Sequence, residues 1–389
     1  MKRGLFLLGL SLFTWGIGEG MFYYLQPLYL QQLGASPVVI GGLLGAMGIA
    51  MAVAHIPAGY LSDRVGPQIL LVIAWITALL ATGVMAFAPG LTWFVAGMLI
   101  YGVTAFVASP LNSYVTAARG QWSVGRALTV IMAFYNSGAI IGPMLGGIIG
   151  STLGLKQVYM LSACIFVIST LIIVMVPHAT VESTSSETGR SKFPWSSRYF
   201  IFLTIAFLVL FSTYLPQPLS SNYLQNYHHL NFQQVGLLGS IASAGIVLMG
   251  LVFGRFNPQR SLLAAQLMMG LFTLILWQGT GMAWFALGYF LLGGYRIGRA
   301  MLMAQTRSMV QSSQVGLAYG ITETVNSVAI ILAPILAGYL YNQNVMLVYP
   351  VSLTLIALSF VVSIFFEKLK VGAMQNFWTP PLLKPEELE

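Results

Sequence analysis

The chain has 389 residues, 57% hydrophobic and only 7% charged, with a mean hydropathy of +0.83. A soluble chain carries roughly 25% charged residues to cover its surface, so a water-facing exterior is excluded and an integral membrane protein is implied, with room for about a dozen spans of ~20 apolar residues. The 17 Lys and Arg outnumber the 9 Asp and Glu, but they fall at alternate loops, the pattern of membrane topology rather than of nucleic-acid binding.

The apolar runs are long rather than short and alternating, which excludes a β-barrel. They predict spans at 5–32, 38–61, 68–88, 91–117, 126–150, 156–176, 199–223, 232–253, 261–280, 282–306, 316–341 and 346–366. Turn signals such as Leu33-Gly34-Ala35-Ser36-Pro37 and Ala88-Pro89-Gly90 separate them as helical hairpins. The run after Met1-Lys2-Arg3 continues past Glu19 without a small-residue cleavage site, so it reads as the first span and not as a secretory signal. With the N-terminus inside, 14 of the 17 basic residues lie in inner loops and tails, only Lys156 lies outside, and Arg296 and Arg299 lie within a span. The positive-inside bias then puts both termini in the cytoplasm of a multi-pass cell-membrane protein. The single cysteine, Cys164, lies in an apolar run and has no partner for an intramolecular disulfide.

One long polar stretch divides the spans six and six, giving an N-terminal half over 1–177, a cytoplasmic linker over 178–197, a C-terminal half over 198–366 and a cytoplasmic tail over 367–389. An internal repeat supports the division. A shift of 191 carries Gln26-Pro27-Leu28 onto Gln217-Pro218-Leu219, Arg64 onto Arg255, Pro67-Gln68 onto Pro258-Gln259, Trp93-Phe94 onto Trp284-Phe285, and Pro143 and Gly147 onto Pro334 and Gly338. Halves of six spans with the same sense form a parallel repeat about an axis along the membrane normal, with a central cavity between them.

Between spans 2 and 3 stands Gly59-Tyr60-Leu61-Ser62-Asp63-Arg64-Val65-Gly66, and in span 5 stands Gly138-Ala139-Ile140-Ile141-Gly142-Pro143-Met144-Leu145-Gly146-Gly147. The first resembles the loop signature GxxxDRxGRR of the major facilitator superfamily, with Pro67 and Gln68 in place of the basic pair. The second resembles the GxxxGPxxGG motif of its proton-driven antiporters. The resemblance covers nearly the whole chain and implies the all-α major facilitator fold, twelve transmembrane helices in two six-helix halves. It also implies a gating latch at Gly59, Asp63, Arg64 and Gly66, and an antiporter-like motif at Gly138, Gly142, Pro143, Gly146 and Gly147. Read from the residues alone, the glycines permit close helix packing and Pro143 permits a bend.

Seven of the nine acids lie in loops or the tail, and the two in spans, Glu19 and Glu323, are candidate proton carriers because an intramembrane carboxylate costs a few kcal/mol. Glu19 stands between Gly18 and Gly20 near the middle of span 1. The resemblance implies that spans 1, 4, 7 and 10 line the cavity, which makes Glu19 the first choice for the proton site. Glu323 and Asn326 share a face of span 11. Arg296 and Arg299, on one face of span 10, either neutralise these glutamates or grip an anionic substrate; charge balance is the reading for Arg299, and Arg296 stays open. Phe22, Tyr23, Tyr101, Tyr295 and Asn326 join Arg296 as candidate substrate contacts. His55, at the end of span 2, reads as a packed residue, and His228-His229 on the outer loop is too little for a metal site.

The expected activity is export of small amphipathic organic compounds by proton antiport through alternating access. The alternatives are a symporter or facilitator for a small organic anion or sugar-like metabolite, and a non-transporting receptor with a transporter fold. No nucleophile motif, metal cluster or nucleotide loop points to an enzyme or to ATP as energy source, and no cofactor is expected. The expected partners are a small-molecule substrate, protons and the lipid bilayer, with no nucleic acid, and a monomer suffices mechanically.

Overall fold

A computed structural model describes the backbone of residues 3–178, 197–310 and 315–377, and the side chains among them except at 56–64, 315–316 and 367–377. Every regular element among the described residues is helical. A backbone in hydrocarbon must satisfy its own hydrogen bonds, and runs of this length do so as helices. Eleven of the helical segments are long and apolar enough to cross a membrane. A twelfth crossing, Met282–Leu291 followed by Gly293–Arg307, is interrupted and carries three arginines.

The first half comprises α1 (Arg3–Tyr23), α2 (Gln26–Gln32), α3 (Pro37–Val65), α4 (Pro67–Phe87), α5 (Leu91–Val103), α6 (Ala108–Ala118), α7 (Val124–Thr152) and α8 (Leu155–Val174). The second comprises α9 (Ser197–Tyr214), α10 (Ser220–Asn226), α11 (Phe232–Phe253), α12 (Pro258–Gln278), α13 (Met282–Leu291), α14 (Gly293–Arg307), α15 (Val315–Gln343) and α16 (Val348–Phe377). Four spans expected as continuous are broken. Span 1 turns at Tyr24-Leu25, span 7 at Leu215–Leu219, span 4 passes through a 3-10 turn at Thr104–Val107, and span 10 breaks at Leu292. The breaks in spans 1 and 7 lie in repeat-related sequence, where Pro27, Pro216 and Pro218 remove backbone donors. The last helix runs to Phe377, beyond the boundary at 366 expected from the apolar run.

Tight turns stop the helices where the sequence supplies the right residue. Gly66 adopts φ 88°, a left-handed conformation that a side chain would strain, and Pro67 then opens α4. In the repeat, Asn257 caps α12 by accepting from the Gln259 N–H, so a side-chain cap replaces the glycine turn.

Counted by alternate crossings, the start of α1, the end of α8, the start of α9 and the end of α16 fall on one side of the bundle, the linker side, and the opposite end is the far side. The close approaches between the halves are glycine seams toward the far side. A methyl group on Gly147 of α7 would lie 2.6 Å from the Phe232 carbonyl oxygen of α11, and one on Gly338 of α15 would lie 2.5 Å from the Pro37 carbonyl oxygen of α3. Methyl groups on Gly236 and Gly41 would collide with the Pro143 and Pro334 carbonyl oxygens. The 191-residue shift maps Gly147 onto Gly338, Pro143 onto Pro334 and Gly45 onto Gly236, so one seam is the repeat image of the other. Small residues let backbones touch in a medium where burial of apolar surface gives no drive.

Candidate functional site

Glu19 sits on α1 with three neighbouring small residues, Gly16, Gly18 and Gly20, each pressed against another helix. This packing is what brings α7 close enough for Tyr135 to reach the carboxylate. The Tyr135 hydroxyl donates to Glu19 Oε2 at 2.9 Å, and the Trp15 indole, one turn earlier on α1, donates to the same oxygen at 3.2 Å. Oε1 accepts no hydrogen bond among the described residues. One oxygen is therefore held by two donors, and the Tyr101 hydroxyl lies within electrostatic range of the same carboxylate. Sequence reasoning missed Tyr135, because nothing in the chain pattern places residue 135 beside residue 19.

Across from Glu19, α14 presents Arg296. It is exposed and has no hydrogen-bond or ion-pair partner among the described residues. Glu19, Tyr23, Tyr24, Tyr135, Tyr214 and Tyr295 all lie within electrostatic range of its guanidinium. Tyr23 is 49% exposed although these groups surround it, so it faces open space between the halves. Tyr214 packs against Tyr295 with ring centres 5.2 Å apart and the planes tilted by 38°. Tyr24, at the break in span 1, lies 6.3 Å from the ring of Tyr289 and presses on Gly239 of the other half, so it belongs to the far-side floor of this space.

Arg299 lies three residues further on α14, about 4.5 Å closer to the linker side. Its Nη2 donates to Glu323 Oε2 at 2.8 Å and its Nε to Oε1 at 3.2 Å, a two-pronged pair with the side chains 36% and 37% exposed. Asn326 Nδ2 donates to Glu323 Oε2 at 3.2 Å, and the Tyr295 hydroxyl donates to Asn326 Oδ1 at 3.2 Å. Glu323 is thus neutralised within its own half. His55, expected to be packed, is instead exposed, and its ring lies within electrostatic range of Glu323 and Arg299. The reason is that α3 turns this face toward the space between the halves rather than toward its own bundle.

Other expected contacts lie off this space. Phe22 is 1% exposed, its ring between Tyr101 and Tyr159 at 5.3 and 5.4 Å. Tyr101 is also buried, against Trp15, Phe22 and Phe166, and its hydroxyl, without a geometric hydrogen bond among the described residues, lies within electrostatic range of Glu19. These two residues form an aromatic core behind Glu19. Among the motif glycines, Gly138, Gly142 and Gly146 face the α1 backbone at Phe13, Ile17 and Met21, with 2.5 Å left for a methyl at Gly142, while Gly147 faces α11. The surroundings of Gly59, Asp63 and Arg64 lie outside the described side chains; the backbone of that motif forms the last turns of α3 and ends in the turn at Gly66. No group of three or more His, Cys, Asp or Glu stands together among the described residues. A lateral groove of about 490 Å3, lined by Val38, Phe207, Phe211, Leu332, Ile335 and Tyr339 among others, is apolar and holds no charged group.

Two halves related by a repeat, with fixed charges of opposite sign meeting at a space between them, is a transporter architecture. The sequence profile of the Major Facilitator Superfamily matches residues 8–215 and 202–381. The chain belongs to the major facilitator superfamily. Among the curated relatives of this superfamily member, multidrug resistance protein 2 of Bacillus subtilis is 22% identical over 363 residues, covering 88% of this chain and 90% of the relative. The quinolone resistance protein NorA of Staphylococcus aureus is 23% identical over 373 residues, covering 89% and 92%. More local matches span less than half of each relative. One is an uncharacterized MFS-type transporter of Methanocaldococcus jannaschii, 28% identical over 40% of this chain and 41% of the relative. Another is a multi-drug resistance efflux pump PmrA homolog of Lactococcus lactis, 26% identical over 46% of each. The fold is also that of the nucleoside transporter NupG, with a TM-score of 0.79 at 15% identity over 94% of this chain and 99% of that one. The chain is a multi-pass membrane protein of this superfamily.

Proposed function

We propose that this transporter exports small amphipathic organic compounds in exchange for protons, with Glu19 as the coupling carboxylate. The observation that carries the reading is the environment of Glu19: one oxygen fixed by Tyr135 and Trp15, the other without a hydrogen bond among the described residues, and the exposed Arg296 of the other half within electrostatic range. A carboxylate so placed either carries a proton or pairs with a cationic or hydrogen-bonding substrate, and competition between the two gives exchange. The tyrosine-lined walls suit ring-bearing molecules. The efflux relatives support the direction of transport, and the basic residues of the linker side support cytoplasmic termini. The division into halves at 1–177 and 198–366, monomeric operation and the absence of a cofactor belong to the same proposal. Glu323 is a secondary proton site in it, and Asp63 and Arg64 close the cytoplasmic side.

The unpaired Arg296 favours a second reading, proton symport of an organic anion. Only a protonated Glu19 leaves Arg296 without a competing carboxylate, so proton and anion would bind together and move in one direction. The test is flux in proteoliposomes under an imposed pH gradient, with cationic, neutral and anionic aromatic compounds. Antiport requires uphill movement against the proton flow, lost in Glu19→Gln. Movement with the protons, limited to anions and lost in Arg296→Gln, establishes symport in its place. Flux that ignores both the gradient and Glu19 overturns both readings and leaves a facilitator.

A further inference from the structure

The far side carries a polar cluster that the transport reading does not use. Where α2 of the first half meets α10 of the second, Asn222 Nδ2 donates to Gln31 Oε1 at 2.6 Å and to the Pro27 carbonyl at 3.2 Å. Asn226 Nδ2 donates to the same Gln31 Oε1 at 3.1 Å and to the Tyr341 hydroxyl at 3.2 Å, while Gln31 Nε2 donates back to Asn226 Oδ1 at 3.1 Å. Gln31 and Asn222 are 191 residues apart, so they are repeat partners and meet where the axis relating the halves emerges. Asn222 is buried, and its Oδ1 has no partner among the described residues.

We infer that these amides are a releasable clasp that holds the far side shut. The glycine seams around it are mostly apolar contacts, which lipid can replace at little loss. Two hydrogen bonds cross α7–α11, from the Gln233 N–H to Ser151 Oγ at 2.8 Å and from the Met144 N–H to Ser240 Oγ at 3.0 Å, and none crosses α3–α15 among the described residues, so the seams by themselves fasten one flank only. The amide bonds are directional, and they form only when α2 and α10 are in register. Being uncharged, the clasp lacks the strong attraction of an ion pair, and the orphaned Asn222 oxygen gains a partner as soon as water enters. Such a device closes reversibly and stays out of the proton chemistry at Glu19.

The donor direction makes the test sharp. Asn222→Asp removes the N–H donated to Gln31 and Pro27. Gln31→Glu keeps an oxygen that accepts from Asn222 and Asn226 and loses only the bond from Gln31 Nε2 to Asn226 Oδ1. In a Cys164→Ser background, spin labels at Leu153→Cys and Asn342→Cys, on exposed far-side positions of opposite halves, report the opening distance. Asn222→Asp is expected to raise the far-side-open population at least fivefold, and Gln31→Glu to leave it within twofold of the native chain. Asn226→Ala, at an exposed position where folding is not at stake, is expected to open the far side to an intermediate degree. An unchanged distance distribution in Asn222→Asp and Asn226→Ala, or equal opening in Asn222→Asp and Gln31→Glu, overturns the clasp. These distances are read without substrate or gradient, so the outcome is independent of the coupling mechanism.

Discussion

At the scale of single residues, the two intramembrane glutamates have been given different surroundings. Glu323 faces a guanidinium that fits both its oxygens, and Glu19 faces neutral donors on one oxygen only. A paired, partly exposed carboxylate of the first kind contributes modestly to stability, so Arg299→Gln is expected to cost about 1–2 kcal/mol. The exchange Arg299→Glu with Glu323→Arg should recover most of that loss in a thermal-unfolding assay. Tyr135→Phe removes the shortest bond to Glu19. A hydrogen bond to a charged group is worth about 1.5–3 kcal/mol, so gradient-driven flux should fall about tenfold or more and the melting temperature should drop; a lowered melt with unchanged flux would leave the bond a structural role only.

His228 offers a residue-scale test outside the membrane. It follows α10, its Nε2 lies 3.3 Å from the Tyr223 hydroxyl, and its ring packs 4.7 Å from Phe285. Burial, and to a smaller degree the neighbouring His229, hold its pKa below the usual 6.5. The folded protein therefore resists protonation that the unfolded chain accepts. The neutral ring's contribution is complete above about pH 6.5 and declines as the pH falls below it. The melting temperature should drop between pH 7.5 and 5.5, by less in His228→Gln than in the native chain; an equal drop in both would remove His228 from the account.

Among elements, the glycines of α7 divide by the partner they face. Gly142 and Gly146 touch α1, a neighbour in the same half, whereas Gly147 touches α11 across the interface. A side chain at the first two attacks the packing of a half, and one at the third attacks only its closure against the other half. Gly142→Val is therefore expected to abolish folding and expression, while Gly147→Val folds but holds the far side open, as read by the Leu153 and Asn342 label pair. If both variants fold equally well, the division does not hold.

For the molecule as a whole, the far side is sealed by seams and clasp, and the space exposing Tyr23, Arg296 and His55 lies on the linker side of that seal. Two halves rocking about a central site cannot open both ends at once. Labels on the far side and on the linker side, at Arg119 and Arg255, should therefore move in opposite senses when substrate or pH shifts the equilibrium. Parallel changes would contradict rocking.

The amino-acid sequence by itself determined the membrane setting, the helical class and the repeat, because each is a statement about composition, run length or spacing that survives without knowing which helices touch. It also singled out Glu19, Glu323, Arg296 and Arg299, since a charge in hydrocarbon is conspicuous whatever surrounds it. The break at Leu292 was not legible, because the apolar run continues through it with no proline to mark where the helix yields. Nor was the choice of partners. Tyr135 meets Glu19 across 116 positions of chain, Asn222 meets Gln31 across 191, and His55 and Phe22 trade the packed and open roles their spans suggest. Those pairings depend on the rotation of each helix and the depth at which glycines let it seat, and only the assembled tertiary structure settles them.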